Sequence, residues 1–228
     1  MSKLLSHIEL VTGPDPKGTV IWMHGLGADG WDFVPIVKEL DLPEDLPLRF
    51  IFPHATVRPV TINNGYEMRA WYDISMQELQ RMPDERGIRE SQKQIEALLA
   101  REYERGVASD KIVLAGFSQG GAIALQTGLR HDKPLAGILA LSTYLTLGDS
   151  LAAEASPANK SIPIFMAHGT QDTIVPLALA EQSRDALKSH GFGVKWTDYP
   201  MPHSVCMEEV VAIGEWLTDK FKSRIVLV

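Results

Sequence analysis

Short apolar runs recur along this chain, and longer amphipathic segments separate them. We predict strands at these runs, which are residues 19–23, 48–52, 111–115, 136–141, 162–167 and 193–197. Runs without polar alternation indicate strands buried on both faces, as in a parallel sheet covered by helices. Residues 4–11 precede the first parallel unit and are predicted to form an antiparallel edge strand. The pattern predicts a three-layer α/β fold, with a mostly parallel central sheet and helices on both faces.

The segments between the runs carry helical signals. Apolar side chains recur at helical spacing over residues 84–105, and Gly106 is expected to end that helix. Further helices are predicted after Pro176 and over residues 208–221. Residues 54–83 show no clear helix, but their aromatic side chains argue against disorder, and long segments of this kind are often functional. The 228 residues suit one domain, predicted as residues 1–228.

The strongest local motif is a serine between two glycines. Residues 116–120 read Gly-Phe-Ser-Gln-Gly, directly after the predicted strand 111–115 and before an apolar, alanine-rich segment. This G-x-S-x-G pattern is typical of a sharp strand-to-helix turn that exposes the serine hydroxyl above the sheet edge. The free N–H groups at the helix start would face a developing negative charge. A glycine-rich turn with an incidental serine is the alternative, and the flanking elements favour Ser118 as a nucleophile.

A serine hydroxyl needs a base beside it, and in α/β-hydrolases the chain order is serine, acid, histidine. Of the seven histidines, four follow Ser118. His131 ends the helix that the serine begins, His190 suits a helix C-terminus, and His168 precedes the best acid. His203 lies in a proline-containing loop between the last predicted strand and the last predicted helix. We therefore predict His203 as the base, the alternative being an exposed loop histidine without a role.

The predicted acid is Asp172, which follows the strand 162–167 where ligand-facing groups of parallel sheets collect. Its carboxylate would accept a hydrogen bond from His203 and hold the imidazole in the reactive tautomer. A helix-capping role ahead of Pro176 also fits Asp172 locally. Asp198, which is nearer to the histidine in sequence, is the rival acid.

Acyl transfer also needs hydrogen-bond donors for the oxyanion of the tetrahedral intermediate. The backbone N–H of Gln119, the residue after the serine, is one candidate. Residues 24–30 read His-Gly-Leu-Gly-Ala-Asp-Gly and directly follow the predicted strand 19–23. Glycines there let the backbone turn its amides inward, so the N–H of Leu26 is the predicted second donor.

Together these motifs resemble the phospholipase/carboxylesterase family of α/β-hydrolases, which includes bacterial carboxylesterases and acyl-protein thioesterases. The resemblance runs nearly end to end, over residues 24–29 (HGLGAD), 69–73 (RAWYD), 116–121 (GFSQGG), 168–172 (HGTQD), 175–176 and His203. Residues 59–63 and 71–74 look more like the bacterial carboxylesterases. The resemblance implies a triad of Ser118, Asp172 and His203, with the Leu26 and Gln119 amides as the oxyanion hole.

The resemblance also implies an acyl-binding groove around Met68 and Trp71, and Leu145 and Val175 are further candidate walls, although each of these residues also suits an ordinary core. Residues 142–146 read Ser-Thr-Tyr-Leu-Thr where family members often have Ser-Gly-Tyr-Leu-Pro. The expected function is that of a serine carboxylesterase. The alternative is an acyl-protein thioesterase or lysophospholipase that acts on longer acyl chains.

Composition and charge limit the kinds of partner and the cell compartment expected for this chain. The net charge of −7 gives no electrostatic reason to bind nucleic acid, and no apolar stretch approaches the length that spans a bilayer. The N-terminal residues do not resemble a signal peptide, and a single cysteine suits a reducing compartment, so a cytoplasmic enzyme is expected. The expected partner is a small acyl ester or thioester, with no cofactor and no metal. A homodimer is an expectation from the family alone.

Two other function classes stay open at this point. A cysteine- or metal-dependent hydrolase would use Cys206, or the pairs His24 with Asp29 and His168 with Asp172. Cys206 is expected instead to be a buried small hydrophobic residue. A non-catalytic binding module on a hydrolase scaffold is the other class, because fold does not determine function.

Overall fold

A computed structural model describes residues 4–77 and 80–222 of the chain. Its strands are β1 (His7–Val11), β2 (Thr19–Met23), β3 (Arg49–Pro53), β4 (Val57–Val60), β5 (Tyr66–Arg69), β6 (Ile74–Gln77), β7 (Gln80–Pro83), β8 (Ile112–Phe117), β9 (Gly137–Leu141), β10 (Ile164–Gly169) and β11 (Val194–Tyr199). Its α-helices are α1 (Glu85–Glu104), α2 (Gln119–Arg130), α3 (Gly148–Glu154), α4 (Leu177–Ser189) and α5 (Met207–Phe221). Short 3₁₀ helices occur at Val34–Lys38, Thr61–Asn63, Ser109–Lys111 and Pro157–Asn159.

The central sheet has seven strands in the order β1-β3-β2-β8-β9-β10-β11. Only β1 runs antiparallel, at the edge against β3, and the other neighbouring pairs are parallel. Parallel strands place all their carboxyl ends at one edge of the sheet, so the loops after β2, β8, β9, β10 and β11 meet there. The mostly parallel sheet and the predicted antiparallel edge strand are both confirmed.

The buried strands alternate their side chains between two apolar layers, as strand geometry requires. In β8, Ile112 and Leu114 face the layer that also contains apolar side chains of α1, α2, α3 and α4, whereas Val113 and Ala115 face the opposite layer. That second layer is closed by α5 through Ile213, Trp216 and Leu217, among others. Helices therefore cover both faces of the sheet, as expected for the α/β-hydrolase fold.

The six parallel strands agree with the predicted runs to within two residues at each end, and β1 begins three residues after the start of the predicted strand 4–11. Helix α1 lies inside the predicted 84–105 segment. The Asp84 side chain caps its start by accepting the Gly87 N–H, and Gly106, with a φ of +85°, follows its end. Helices α4 and α5 match the two other predicted helices. Helix α3 was not predicted, since seven residues are too few to show a helical repeat.

The segment of residues 54–83, where the sequence pattern predicts neither a strand nor a helix, has regular structure over most of its length. It forms two antiparallel hairpins, β4-β5 and β6-β7, although residues 78–79 lie outside the described residues. The predicted single domain, residues 1–228, also extends beyond the described residues at both ends and stays a prediction. No helix in the described part of the chain combines the length and apolar character needed to cross a membrane.

Candidate active site

Ser118 occupies a strained turn between β8 and α2. Its backbone has φ +54° and ψ −121°, a conformation that residues with a side chain rarely adopt. The surroundings hold this turn in place: the Ser118 N–H donates to the carbonyl of Leu141 (2.9 Å), and the Ser118 carbonyl accepts the N–H of Ala122 (3.1 Å). Strain maintained by several contacts is typical of a functional turn rather than of an incidental serine in a glycine-rich loop.

The glycines of the G-x-S-x-G motif are explained by close packing. A Cβ at Gly116 would overlap the backbone of Gly120, and a Cβ at Gly120 would overlap the carbonyl oxygens of Met23 and His24. Both positions therefore exclude any side chain. As a result, the first turn of α2 lies directly against the ends of β8 and β2, and the serine is held between the loops that follow these strands.

Asp172 and His203 form a hydrogen-bonded pair. The Asp172 side chain is fully buried in the loop after β10, and its Oδ2 lies 2.6 Å from Nδ1 of His203. Its other oxygen, Oδ1, accepts the backbone N–H groups of Ile174 (2.9 Å) and Val175 (2.8 Å). An ionised carboxylate only accepts hydrogen bonds, so the imidazole proton lies on Nδ1, and Nε2 is left as the proton acceptor.

The rival acid, Asp198, does not reach this pair. It lies on β11 with an exposed side chain, and its Oδ2 accepts the indole N–H of Trp196 at 3.3 Å. The helix-capping role considered for Asp172 is wrong, because α4 begins after Pro176 without a side-chain cap. Oδ1 of Asp172 instead accepts two N–H groups of the turn before that helix, while Oδ2 serves His203.

The loop carrying His203 is attached to the loop carrying the acid. The N–H of Gln171 donates to the carbonyl of Met201 at 3.1 Å, and a Cβ at Gly169 would overlap that same carbonyl oxygen. On its other side, the His203 ring packs against the ring of Phe117, with 4.7 Å between centroids. Since Phe117 directly precedes the serine, these contacts place the imidazole beside the nucleophile turn.

A cavity of about 230 Å³ opens at this edge of the sheet. The described residues that line it are Gly25, Leu26, Ala28, Asp32, Ile74, Phe117, Ser118, Gln119, Tyr144, Ile174, Val175 and His203. The backbone N–H groups of Leu26 and Gln119 have no acceptor among the described residues. The structure therefore brings the predicted nucleophile, base and both oxyanion donors to one cavity, with the predicted acid behind the base.

His24 and Trp71 stabilise the loop that carries Leu26. The His24 Nε2 accepts the N–H of Ala55 (3.0 Å), so its Nδ1 carries the proton and donates to the carbonyl of Gly25 (2.6 Å). Burial lowers the pKa of His24 to about 4, so the ring is neutral at neutral pH.

The indole N–H of Trp71 donates to the His24 carbonyl at 2.9 Å. Trp71 also donates its backbone N–H to Oε1 of the Gln119 side chain at 3.0 Å, which connects the two segments that supply the oxyanion donors.

The acyl-groove prediction needs correction. Val175 lines the cavity, but the Trp71 side chain has no exposed surface and belongs to the core. Met68 and Leu145 are not among the described lining residues: the Met68 sulfur accepts from Asn63, and Leu145 packs against the core. The apolar walls that the sequence analysis missed are Ile74, Tyr144 and Ile174. Tyr144 follows β9 at the carboxyl edge of the sheet, which is the signal that could have identified it.

The metal and cysteine alternatives do not fit the local contacts. Both ring nitrogens of His24 have protein partners, and Nε2 of the buried His168 donates to the Val175 carbonyl at 2.8 Å. Cys206 is partly exposed, not buried as expected, and is not among the described residues that line the cavity. Burial also raises the pKa of the Cys206 thiol, which disfavours the reactive thiolate.

Comparisons with known proteins agree with this geometry. A family model described as Phospholipase/Carboxylesterase matches residues 7–220. Acyl-protein thioesterase 1 of Neurospora crassa is 44% identical over 212 residues, which cover 89% of this chain and 86% of that protein. Two solved plant structures are also similar. Arabidopsis thaliana SOBER1 has a TM-score of 0.84 at 30% identity, covering 90% of this chain and 99% of its own.

The second plant structure, Zea mays acyl-protein thioesterase 2, has a TM-score of 0.82 at 29% identity and covers 94% of this chain and 99% of its own. The matches run over almost the whole length of this chain and of each relative, so they concern the complete fold and not an isolated motif. The chain belongs to the phospholipase/carboxylesterase family of serine hydrolases.

Proposed function

We propose that this protein hydrolyses acyl thioesters and oxyesters through an acyl-enzyme intermediate on Ser118. The observation that carries the proposal is the 2.6 Å hydrogen bond between Asp172 and His203 at the cavity that the strained serine turn lines. A nucleophile, a base and an orienting acid in this relation are the parts that serine acyl transfer requires.

In the first half-reaction, Nε2 of His203 takes the hydroxyl proton as the Ser118 oxygen attacks the acyl carbonyl carbon. The carbonyl oxygen becomes an oxyanion, which accepts hydrogen bonds from the N–H groups of Leu26 and Gln119. His203 then gives its proton to the departing thiolate or alkoxide. In the second half-reaction, water loses a proton to the same base and attacks the acyl carbon. The tetrahedral intermediate then releases the carboxylic acid as His203 returns the proton to the departing Ser118 oxygen. Asp172 keeps the imidazole in position and stabilises its positive charge in both halves.

Two observations favour thioesterase activity on acyl chains over general carboxylesterase activity. The fungal relatives at 44% and 34% identity bear the name acyl-protein thioesterase 1. Their name supports the predicted alternative, an acyl-protein thioesterase, better than the predicted general carboxylesterase. The cavity also has apolar walls next to the serine, formed by Ile74, Ile174 and Val175 together with the ring of Tyr144. Apolar walls stabilise a bound acyl chain by removing its surface from water.

The substrate class is tested by measuring kcat/KM for matched oxyesters and thioesters of increasing acyl length. We expect the thioesters to be at least as good as the oxyesters and kcat/KM to rise with chain length, because each added methylene buries further apolar surface. A maximum at short oxyesters with a decline for longer chains would instead identify a general carboxylesterase with a closed pocket.

The mechanism is tested with Ser118→Ala in the same assays. Without its oxygen no acyl-enzyme can form, so we expect kcat to fall by about 10⁴-fold or more. Circular dichroism should show an unchanged fold, since alanine differs from serine only in lacking the hydroxyl oxygen. Turnover close to that of the wild-type protein, in a preparation free of other esterases, would rule out Ser118 as the nucleophile.

A further inference from the structure

Thr143 makes a contact with the nucleophile turn that the mechanism above does not use. It lies two residues after β9 and is 1% exposed. Its hydroxyl donates a hydrogen bond of 2.6 Å to the backbone carbonyl of Ser118. The same carbonyl accepts the N–H of Ala122 within α2 at 3.1 Å, so it has two donors.

This contact acts on a peptide unit that matters for the reaction. The carbonyl of Ser118 and the N–H of Gln119 belong to one planar peptide group, so the orientation of the first determines the direction of the second. A hydrogen bond to the carbonyl also polarises the group and strengthens its N–H as a donor. That N–H has no acceptor among the described residues, and Gln119 lines the cavity beside the serine.

We propose that Thr143 is a positioning residue for the oxyanion hole: its hydroxyl orients and polarises the Ser118–Gln119 peptide so that the Gln119 N–H stabilises the transition state. The inference rests on the proposed function, because it requires the Gln119 N–H to be an oxyanion donor. Thr143 is not among the described residues that line the cavity.

The informative variant is Thr143→Val, which removes the hydroxyl and keeps the branched shape. That shape matters, because a Cβ at the neighbouring Gly121 would come within 2.8 Å of the Thr143 side chain. The new methyl of the valine replaces a hydroxyl that lies 2.6 Å from the Ser118 carbonyl oxygen, so Thr143→Ala, which adds no carbon there, is measured beside it. Both variants should fold, since the N–H of Ala122 still pairs with that carbonyl. We expect kcat to fall by about 10-fold with KM nearly unchanged, less than the loss of an oxyanion donor itself.

Two further variants accompany it. Thr143→Ser keeps a hydroxyl and should restore most of kcat. Thr127→Val is the matched control, because Thr127 is fully buried on α2 and its hydroxyl has no hydrogen-bond partner among the described residues. Its kcat should equal that of the wild-type protein. If Thr143→Val proves unstable, Thr143→Ala removes the same hydroxyl and carries the same expectation.

The decisive measurement compares two inhibitors that carry the same alkyl chain. A boronic acid adds to the serine and places an oxygen in the oxyanion hole, whereas the alkane of the same length has no oxygen to place there. We expect Thr143→Val to weaken boronic acid binding by the same factor as kcat and to leave binding of the alkane unchanged. Equal weakening of both inhibitors, unchanged boronic acid binding, or no rescue by serine would overturn it.

The outcome is separable from a failure of the proposed function. An active Ser118→Ala protein would overturn the mechanism as a whole. An inactive Ser118→Ala protein together with a fully active Thr143→Val protein would overturn only the role given to Thr143.

Discussion

The two carboxylate oxygens of Asp172 have different partners, and this division determines what a substitution there does. Oδ1 accepts two backbone N–H groups from the turn that follows, while Oδ2 faces Nδ1 of His203 at 2.6 Å. An asparagine has one acceptor oxygen and one donor nitrogen. If its oxygen keeps the turn, its nitrogen faces the imidazole and forces the proton onto Nε2, where it blocks proton transfer from Ser118.

We therefore expect Asp172→Asn to lower kcat by about 10⁴-fold with little change in stability or KM. The matched control is Asp198→Asn, the same substitution at the exposed rival acid on β11, which should leave kcat near its wild-type value. Steady-state kinetics of both variants provide the check. A large loss in the Asp198 variant, with activity kept in the Asp172 variant, would reverse the assignment of the acid.

At the scale of elements, the site depends on how closely α2 approaches the sheet. A Cβ at Gly120 would meet the carbonyl oxygens of Met23 and His24, which are backbone atoms and cannot move aside as a flexible side chain can. Helix α2 begins at Gln119, directly after the nucleophile, so a displaced helix also displaces the serine turn. Packing and catalysis are coupled at this contact.

Gly120→Ala should therefore lower the free energy of unfolding by about 3 kcal/mol and reduce kcat as well. Alanine is the better helix former, so a loss of stability would come from the steric contact and not from helix propensity. Gly193→Ala is the control, because a Cβ there has no atom within 4 Å. Urea unfolding measures both variants, and equal stability of the two would contradict the proposed packing.

At the scale of the whole molecule, two buried groups give the stability opposite pH dependences. Burial lowers the pKa of His24 from 6.5 to about 4. Between these values the unfolded chain binds a proton that the native protein does not, so stability falls as pH decreases. Burial raises the pKa of Glu209, on α5, from 4.5 to about 8. There the native protein retains a proton that the unfolded chain releases, so stability falls as pH increases through this range.

From pH 4.5 to 6.5 the two effects offset each other, and above pH 6.5 only the Glu209 effect remains. We expect the wild-type protein to lose about 2 kcal/mol between pH 6.5 and 8 relative to Glu209→Gln, which cannot ionise. The neighbouring Glu208 is exposed, so Glu208→Gln should follow the wild-type curve. Unfolding in urea at a series of pH values measures this difference, and parallel curves for the wild-type protein and Glu209→Gln would contradict it.

Much of the fold was predictable because it depends on local patterns. The apolar runs located the six parallel strands to within two residues, and a run without polar alternation, such as residues 111–115, marks a strand buried on both faces. The sharp turn at Ser118 was predictable for the same reason, since the glycines, the preceding strand and the following helix are neighbours in sequence. Chain order then singled out His203, which the structure places at the same cavity as the serine.

Other features depend on which strands are neighbours and in what register, and local periodicity does not specify either. The sequence alone left Asp172 and Asp198 as rival acids, and only the folded loops show which carboxylate reaches His203. An aromatic side chain such as that of Trp71 suits the wall of a pocket, but the structure buries it. Its indole N–H supports the loop that carries Leu26 by donating to the His24 carbonyl. The contact from Thr143 to the Ser118 carbonyl spans 25 positions in sequence, and it exists because β8 and β9 are adjacent in the sheet. The sequence by itself determined which chemical groups are present and which elements carry them, while the tertiary structure decided which of those groups meet.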